Sequence, residues 1–124
     1  MTVKKATKEY SEVLTEAVVD GMQEIKANDI VVLDMRQIEN AMADFFIICH
    51  GNSNTQVEAI ARSVEKVAAD QINEKPWHIE GAGNSKWILM DYVDVVVHIF
   101  DLESRPFYAL EELWADAKTR RIAS

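Results

Sequence analysis

The sequence predicts a single α/β domain in which one mixed five-stranded sheet is packed by helices. Two long segments carry apolar residues at helical spacing, and five short segments have the composition of strands. A strand–helix–strand step around Gly51–Pro76 favours a partly parallel pairing, whereas the last three strands favour an antiparallel meander. The 124 residues contain no linker, so 1–124 is expected to be one domain, with a compact core over about 8–116 and a polar C-terminal tail over 117–124.

Two amphipathic helices are predicted in the first 73 residues. Apolar side chains recur every three or four positions between Tyr10 and Ile25, which is the spacing of one helix face. The second helix is expected over Asn54–Asn73. Ser53 before it and Gln56 three residues later form a capping-box sequence, in which each side chain bonds an unpaired amide of the first turn.

Five strands are predicted from short apolar runs. The first two are rich in β-branched and aromatic residues and are expected to be buried. The last three follow the Pro76 helix break and are joined by a glycine-containing loop and a three-residue turn. In chain order the five strands are Ile30–Met35, Phe45–Cys49, Trp77–Glu80, Lys86–Asp91 and Val95–Phe100.

A third helix is predicted to begin at Ser104-Arg105-Pro106, because proline is well tolerated in a first helical turn. The polar residues after Asp116 are expected to fray. The apolar side of this helix is predicted to consist of Phe107, Leu110, Leu113 and Trp114.

The charge distribution restricts the classes of partner. The net charge is -8, and residues 28–112 carry six Lys or Arg against fifteen Asp or Glu. An acidic body repels phosphate, which disfavours strong direct nucleic-acid binding, and it attracts basic proteins. Apolar runs of about five residues are too short to span a membrane. We expect a cytoplasmic protein, since no apolar leader follows the first lysines and the single Cys49 fits a reducing compartment.

The strongest candidate surface lies on the predicted strand Lys86–Asp91. Side chains alternate along a strand, so Trp87, Leu89 and Asp91 are expected to share one side. An indole, an aliphatic group and a carboxylate in one row suit contact with a protein, and Trp and Tyr are frequent in binding hot spots. From the residues alone, an interface and a purely structural role for Trp87, Leu89 and Tyr92 both stay open.

Other residues in the sequence could support a metal site, an activated thiol or self-association. Asp91 and Asp94 could hold a divalent metal for nucleotidyl transfer, although the structural alternative has Asp94 capping the turn while Asp91 faces outward. Cys49 beside His50 could be an activated thiol, but a buried apolar role is favoured. The three histidines lack zinc-ligand spacing, so no metal or cofactor is expected. Self-association through an exposed strand edge, giving a homodimer, is a further alternative.

Four segments in this order resemble the ribosomal silencing factor family (RsfS, Iojap-like). Each segment alone is a weak signal, but the series covers about residues 8–116. The segments are Asp44–Cys49 with Gly51–Asn54 and Gln56-Val57, then Ile79–Gly81, then Trp87–Tyr92 with Asp94–Phe100, and finally Arg105–Glu111 with Leu113-Trp114.

The resemblance implies a nucleotidyltransferase-like mixed sheet without catalytic activity. It also implies binding to the large ribosomal subunit through its protein number fourteen, on the inter-subunit face. Such binding would block joining of the small subunit and repress translation. Carried over residue by residue, the family's contact surface points to partner-binding roles for Trp87, Leu89, Asp91, Tyr92, Asp94 and Glu80.

One departure from the family pattern bears on this surface. The family usually has glycine at the position of Val93, and glycine takes positive φ angles that valine avoids. The geometry of the Tyr92–Asp94 turn, and with it the direction of Asp94, is therefore open at the level of the sequence.

Overall fold

The computed structural model describes residues 2–123 of the chain, with side chains from residue 10 onward. Four helices and six strands alternate in the order predicted from the sequence up to the third helix. The elements are α1 (Thr2–Glu24), β1 (Asn28–Asp34), β2 (Phe45–Gly51), α2 (Asn54–Ile72), β3 (His78–Glu80), β4 (Trp87–Asp91), β5 (Val95–Asp101), α3 (Ser104–Tyr108), α4 (Leu110–Leu113) and β6 (Lys118–Arg121).

The six strands form one mixed sheet in the order β3-β4-β5-β2-β1-β6. The central pair β2–β5 is parallel, with Phe45 opposite Val95 and Gly51 opposite Asp101. The other neighbours are antiparallel, including the β3–β4–β5 meander. The terminal meander and the presence of one parallel pair are confirmed, but the parallel partner of β2 is β5 and not β3, the strand that follows α2.

The helices α1 and α2 cover one face of the sheet. Their apolar stripes meet alternate residues of the strands, which accounts for the larger of two hydrophobic clusters. Gly21 allows the helices to approach closely, because a Cβ there would lie 2.7 Å from the Cα of Val64. The Ser63 hydroxyl donates a 2.7 Å hydrogen bond to the Gly21 carbonyl at this crossing.

The predicted cap of α2 is present, with one change of partner. The Ser53 hydroxyl accepts from the Gln56 amide at 3.1 Å, as the capping box requires. The Gln56 side chain accepts from the amide of Asn52 rather than that of Ser53, at 2.7 Å. Its amino group donates to the carbonyls of Ile25 and Lys26, so it also ties the end of α1 to the start of α2.

The opposite face is covered over part of its area. A smaller cluster packs there against β1, β2 and the end of β5, and it includes Met35, Phe100 and Leu110. The covering elements are α3, α4 and the connection between β1 and β2. At the β3–β4 end of this face the described helices reach only Trp87, through Tyr108 of α3, and the side chains there are exposed or half-buried.

The five predicted strands are present, but the prediction missed a sixth strand, and the expectation of a fraying tail was wrong. Lys118–Arg121 forms a sixth strand on the outer edge of β1, with Val31 opposite Arg121 and Asp34 opposite Lys118. This strand is held by backbone pairing and by an Arg120–Glu16 ion pair of 2.7 Å, while all four of its side chains are exposed. An edge strand without a buried side chain has no apolar alternation for a sequence pattern to detect.

The prediction of one continuous third helix was also wrong. Ala109 adopts a left-handed conformation with φ of 49°, which divides the segment into α3 and α4. The break changes the helical phase, so the four apolar residues do not share one buried side. Leu110 is buried and Trp114 half-buried, but Phe107 and Leu113 are 79% and 68% exposed.

Candidate functional site

The open end of the sheet brings the predicted row of side chains together. On β4, Ile88 and Met90 enter the core, whereas Trp87, Leu89 and Asp91 alternate with them and stay half-buried on the other side. The strand register extends the row sideways: Leu89 lies opposite Glu80, and Asp91 opposite His78. The predicted arrangement of an indole, an aliphatic group and a carboxylate on one accessible side is therefore present.

Trp87 is both a structural residue and part of this accessible row. Its indole Nε1 donates a 3.1 Å hydrogen bond to Nδ1 of His98 on β5. Its ring lies 5.0 Å from the Phe100 ring and 4.5 Å from the Tyr108 ring of α3, measured between centroids. The two sequence-level alternatives for Trp87, core and surface, are therefore combined in one side chain that α3 partly covers.

His98 is the buried hydrogen-bonded core residue that its apolar strand predicts. It is 4% exposed, and Trp87 fixes Nδ1 as the acceptor. Burial lowers the pKa of His98 to about 4, because an apolar environment disfavours the charged imidazolium. The ring is thus neutral at physiological pH, which preserves the bond that orients the indole.

The turn between β4 and β5 has a defined conformation at Val93. Val93 has φ of 76°, and the Asp94 amide donates to the Tyr92 carbonyl at 3.0 Å, which is the hydrogen bond of a γ-turn. The Asp91 carboxylate accepts from the Val93 amide at 2.7 Å. The turn is therefore capped by Asp91 and not by Asp94, which corrects the structural alternative in which Asp94 caps it, while Asp91 stays on the accessible side.

Tyr92 does not belong to the accessible surface predicted for it. The residue is 5% exposed and packs in the cluster beneath α1 and α2. The reason is strand alternation, because Tyr92 follows Asp91 directly and so faces the opposite side. Burial raises the pKa of Tyr92 beyond its ordinary range, so its phenol stays protonated.

The remaining predicted residues lie at the open end. Glu80 on the edge strand is exposed, and its carboxylate lies 3.0 Å from Nε2 of His78. Asp94 is half-buried, and its carbonyl accepts from the amides of Asp44 and Phe45, so the turn is attached to the start of β2. Together with Asp91 these residues place three carboxylates around the β4 row.

The geometry does not favour the catalytic alternatives. In the described part of the chain, no group of three or more His, Cys, Asp or Glu side chains is arranged to hold a metal ion, and Asp91 is engaged by the turn. Cys49 is buried, and burial raises its thiol pKa to about 12, the opposite of an activated nucleophile. The Nδ1 atom of His50 accepts from Arg105 at 2.9 Å.

Several residues of the surface were not found from the sequence. Strand alternation could have placed His78 and Val96 on the same side as Asp91, but only the register shows that both lie opposite it. The contact of Tyr108 with Trp87 had no sequence signal, since it depends on how α3 folds back over the end of β5.

The elements and topology define a small single-sheet α/β domain with an acidic, aromatic surface at one end of the sheet. A family model described as "Ribosomal silencing factor during starvation" matches residues 7–124. The chain therefore belongs to the ribosomal silencing factor family, which confirms the resemblance. No helix in residues 2–123 is long and apolar enough to cross a membrane.

Relatives in bacteria are named ribosomal silencing factor RsfS, and a relative in a plant is named Iojap. The ribosomal silencing factor RsfS of Halalkalibacterium halodurans is 45% identical over 106 residues, covering 86% of this chain and 89% of that protein. The RsfS protein of Bacillus subtilis is 48% identical over 92 residues, covering 74% and 76%. The chloroplastic protein Iojap of Zea mays is 41% identical over 97 residues, covering 76% of this chain and 40% of that protein.

Two solved structures have the same fold. A crystal structure of a protein from Chromobacterium violaceum matches with a TM-score of 0.78 and 31% identity, covering 84% of this chain and 85% of the other. A crystal structure of a protein from Bacillus halodurans matches with a TM-score of 0.74 and 37% identity, covering 91% and 99%.

Proposed function

We propose that this protein binds the large ribosomal subunit through the open end of its sheet and thereby represses translation. The binding partner is protein number fourteen of that subunit, on the face that meets the small subunit. Bound there, the domain occludes joining of the small subunit. It acts in the cytoplasm, where ribosomes work, and its action is steric rather than enzymatic.

The observation that carries this proposal is the accessible row of Trp87, Leu89 and Asp91 on a sheet end that α3 covers only at Trp87. A half-buried indole held by a hydrogen bond and ring packing is preorganised, so little side-chain freedom is lost on binding. Such fixed aromatic residues are typical centres of protein interfaces. We take the ribosome as the partner of this surface because the chain belongs to the ribosomal silencing factor family.

Electrostatics supports the same partner. Asp91, Asp94 and Glu80 lie around the row, and the chain carries a net charge of -8. Ribosomal proteins are generally basic, so opposite charges would speed encounter and set the orientation of docking. A standard interface of about 800 Å² per partner is sufficient to hold a domain of this size in place as a steric block.

Replacement of Asp91 by asparagine tests the proposed surface. Asp91→Asn removes the charge but keeps an oxygen that can accept from the Val93 amide, so the turn is preserved. We expect binding to purified large subunits, measured by co-sedimentation over a concentration series, to weaken by roughly tenfold, a cost above about 1 kcal/mol that only a minority of interface residues reach. Leu89→Ala is expected to act in the same direction.

Asp70→Asn is the matched control, because Asp70 is an exposed carboxylate on α2, which covers the opposite face of the sheet. This variant should bind like the wild type. Equal binding by Asp91→Asn, Leu89→Ala and the control would show that the open sheet end is not the ribosomal contact.

A further inference from the structure

A second accessible feature adjoins the open sheet end. Four large apolar side chains between residues 102 and 113 are exposed, and we call them the helical patch. Exposed apolar side chains in contact with one another mark interaction sites more often than isolated ones do, and Phe107 and Tyr108 are in direct ring contact. The patch consists of Leu102 (55% exposed), Phe107 (79%), Tyr108 (45%) and Leu113 (68%).

The helical patch is held in place rather than frayed. Arg105 of α3 is 8% exposed, and its guanidinium donates to both carboxylate oxygens of Glu111, at 3.1 and 3.3 Å. It also donates to Nδ1 of His50 and to the Asn28 carbonyl. A buried guanidinium with four acceptors locks α3 and the start of α4 onto the sheet, so the apolar residues are presented in fixed positions.

The patch is continuous with the proposed docking row. The Tyr108 ring lies 4.5 Å from the Trp87 ring and 5.0 Å from the Phe107 ring. Trp87 therefore lies between Leu89 on one side and the helical patch on the other. A partner that contacts Trp87 would also meet Tyr108, and through it Phe107.

The charges around the helical patch indicate the chemistry of its occupant. Residues 101–116 contain five carboxylates and one basic residue, Arg105, whose charge is engaged by Glu111. Glu103, Glu112 and Asp116 are exposed. An apolar surface bordered by carboxylates complements a segment that carries aliphatic side chains between lysines or arginines. A symmetric contact between two copies would instead bring these carboxylates together, which is unfavourable.

We infer that the helical patch is a second half of the docking surface, and that it binds an apolar, lysine- or arginine-flanked segment of the same basic partner protein. This inference rests on the proposed function. It predicts that Phe107 and Leu113 contribute to affinity although they support no core packing. It also predicts that binding through the apolar side chains of the helical patch depends less on salt concentration than binding through the carboxylates around them does.

The experiment uses the full chain and purified large ribosomal subunits in co-sedimentation. Phe107→Ala and Leu113→Ala should each weaken binding by about tenfold, a loss that only a minority of interface residues give on truncation, with little change in the salt dependence. Glu112→Lys should weaken binding most at low salt and flatten the salt dependence, because it reverses one border charge. Val13→Ala is the matched control, since Val13 is exposed on α1 at the other face. Thermal unfolding of each variant verifies that the fold is retained.

The outcomes separate this inference from the proposal on which it rests. Binding by the wild type that is lost in Asp91→Asn but unchanged in Phe107→Ala and Leu113→Ala would overturn the inference and leave the proposed function standing. Absence of wild-type binding to large subunits would instead remove the proposed function. A wild-type dimer in light scattering that Phe107→Ala converts to a monomer would assign the patch to a second copy, and would also overturn the inference.

Discussion

Val93 stores backbone strain in the turn beside the docking row, and its replacement by glycine should stabilise the protein. A β-branched residue at φ of 76° is an outlier, because its Cβ crowds the neighbouring carbonyl. Strained backbone of this type costs about 1–3 kcal/mol. Val93 is 58% exposed, so truncation of its side chain loses little packing.

The expected gain is smaller than the strain itself. Glycine loses more conformational freedom on folding, which offsets about 0.5–1 kcal/mol. We therefore expect Val93→Gly to raise the free energy of unfolding by about 1 kcal/mol. For a domain of this length the midpoint of thermal unfolding should rise by about 4 °C. Circular dichroism during heating and urea titration at neutral pH measure the two quantities.

Val93→Ala separates the backbone effect from the loss of the side chain. Alanine keeps a Cβ at the same positive φ and should therefore recover less stability than glycine does. A glycine variant no more stable than both the wild type and the alanine variant would refute the strain argument. The comparison of the three proteins therefore measures how much stability valine costs in the turn that contains Asp94 and follows Asp91.

Two further predictions concern the core. The pKa of His98 is about 4 in the fold against about 6.5 in the unfolded chain, so the unfolded state binds more protons between these pH values and stability falls as pH drops through them. Between pH 7 and pH 5, the free energy of unfolding of the wild type should fall by about 2 kcal/mol more than that of His98→Asn. Asparagine is chosen because it keeps an acceptor for the Trp87 indole. Equal losses in urea titrations of the two proteins would contradict the burial of His98. Gly21→Ala should destabilise by about 1 kcal/mol, although alanine normally favours a helix, because the new methyl would lie 2.7 Å from the Val64 Cα. Gln23→Ala, an exposed change in the same helix, should be near neutral, and a lower urea midpoint for Gly21→Ala alone would confirm the close approach.

For the candidate site, the sequence was sufficient to predict which side chains of β4 share one side of the sheet. Alternation along Trp87–Asp91 sufficed to place three side chains on one side of the sheet, since that rule depends only on neighbouring residues. The same rule, applied one residue further, would have excluded Tyr92 from the surface. The residues alone left an interface role for Tyr92 open and the family resemblance added it to the surface, and its burial in the structure corrects that expectation.

The sequence by itself determined the types of the main elements, the terminal meander and the acidic character, because these depend on local periodicity, turn and capping residues and composition. Tertiary structure alone decided three things: the pairing of Lys118–Arg121 with β1, the break at Ala109, and the exposure of Phe107. Each depends on backbone hydrogen bonds or side-chain contacts between residues far apart in the chain. The Arg105 guanidinium, bonded to Asn28 and His50 as well as to nearby Glu111, shows why such contacts leave no periodic trace in the sequence.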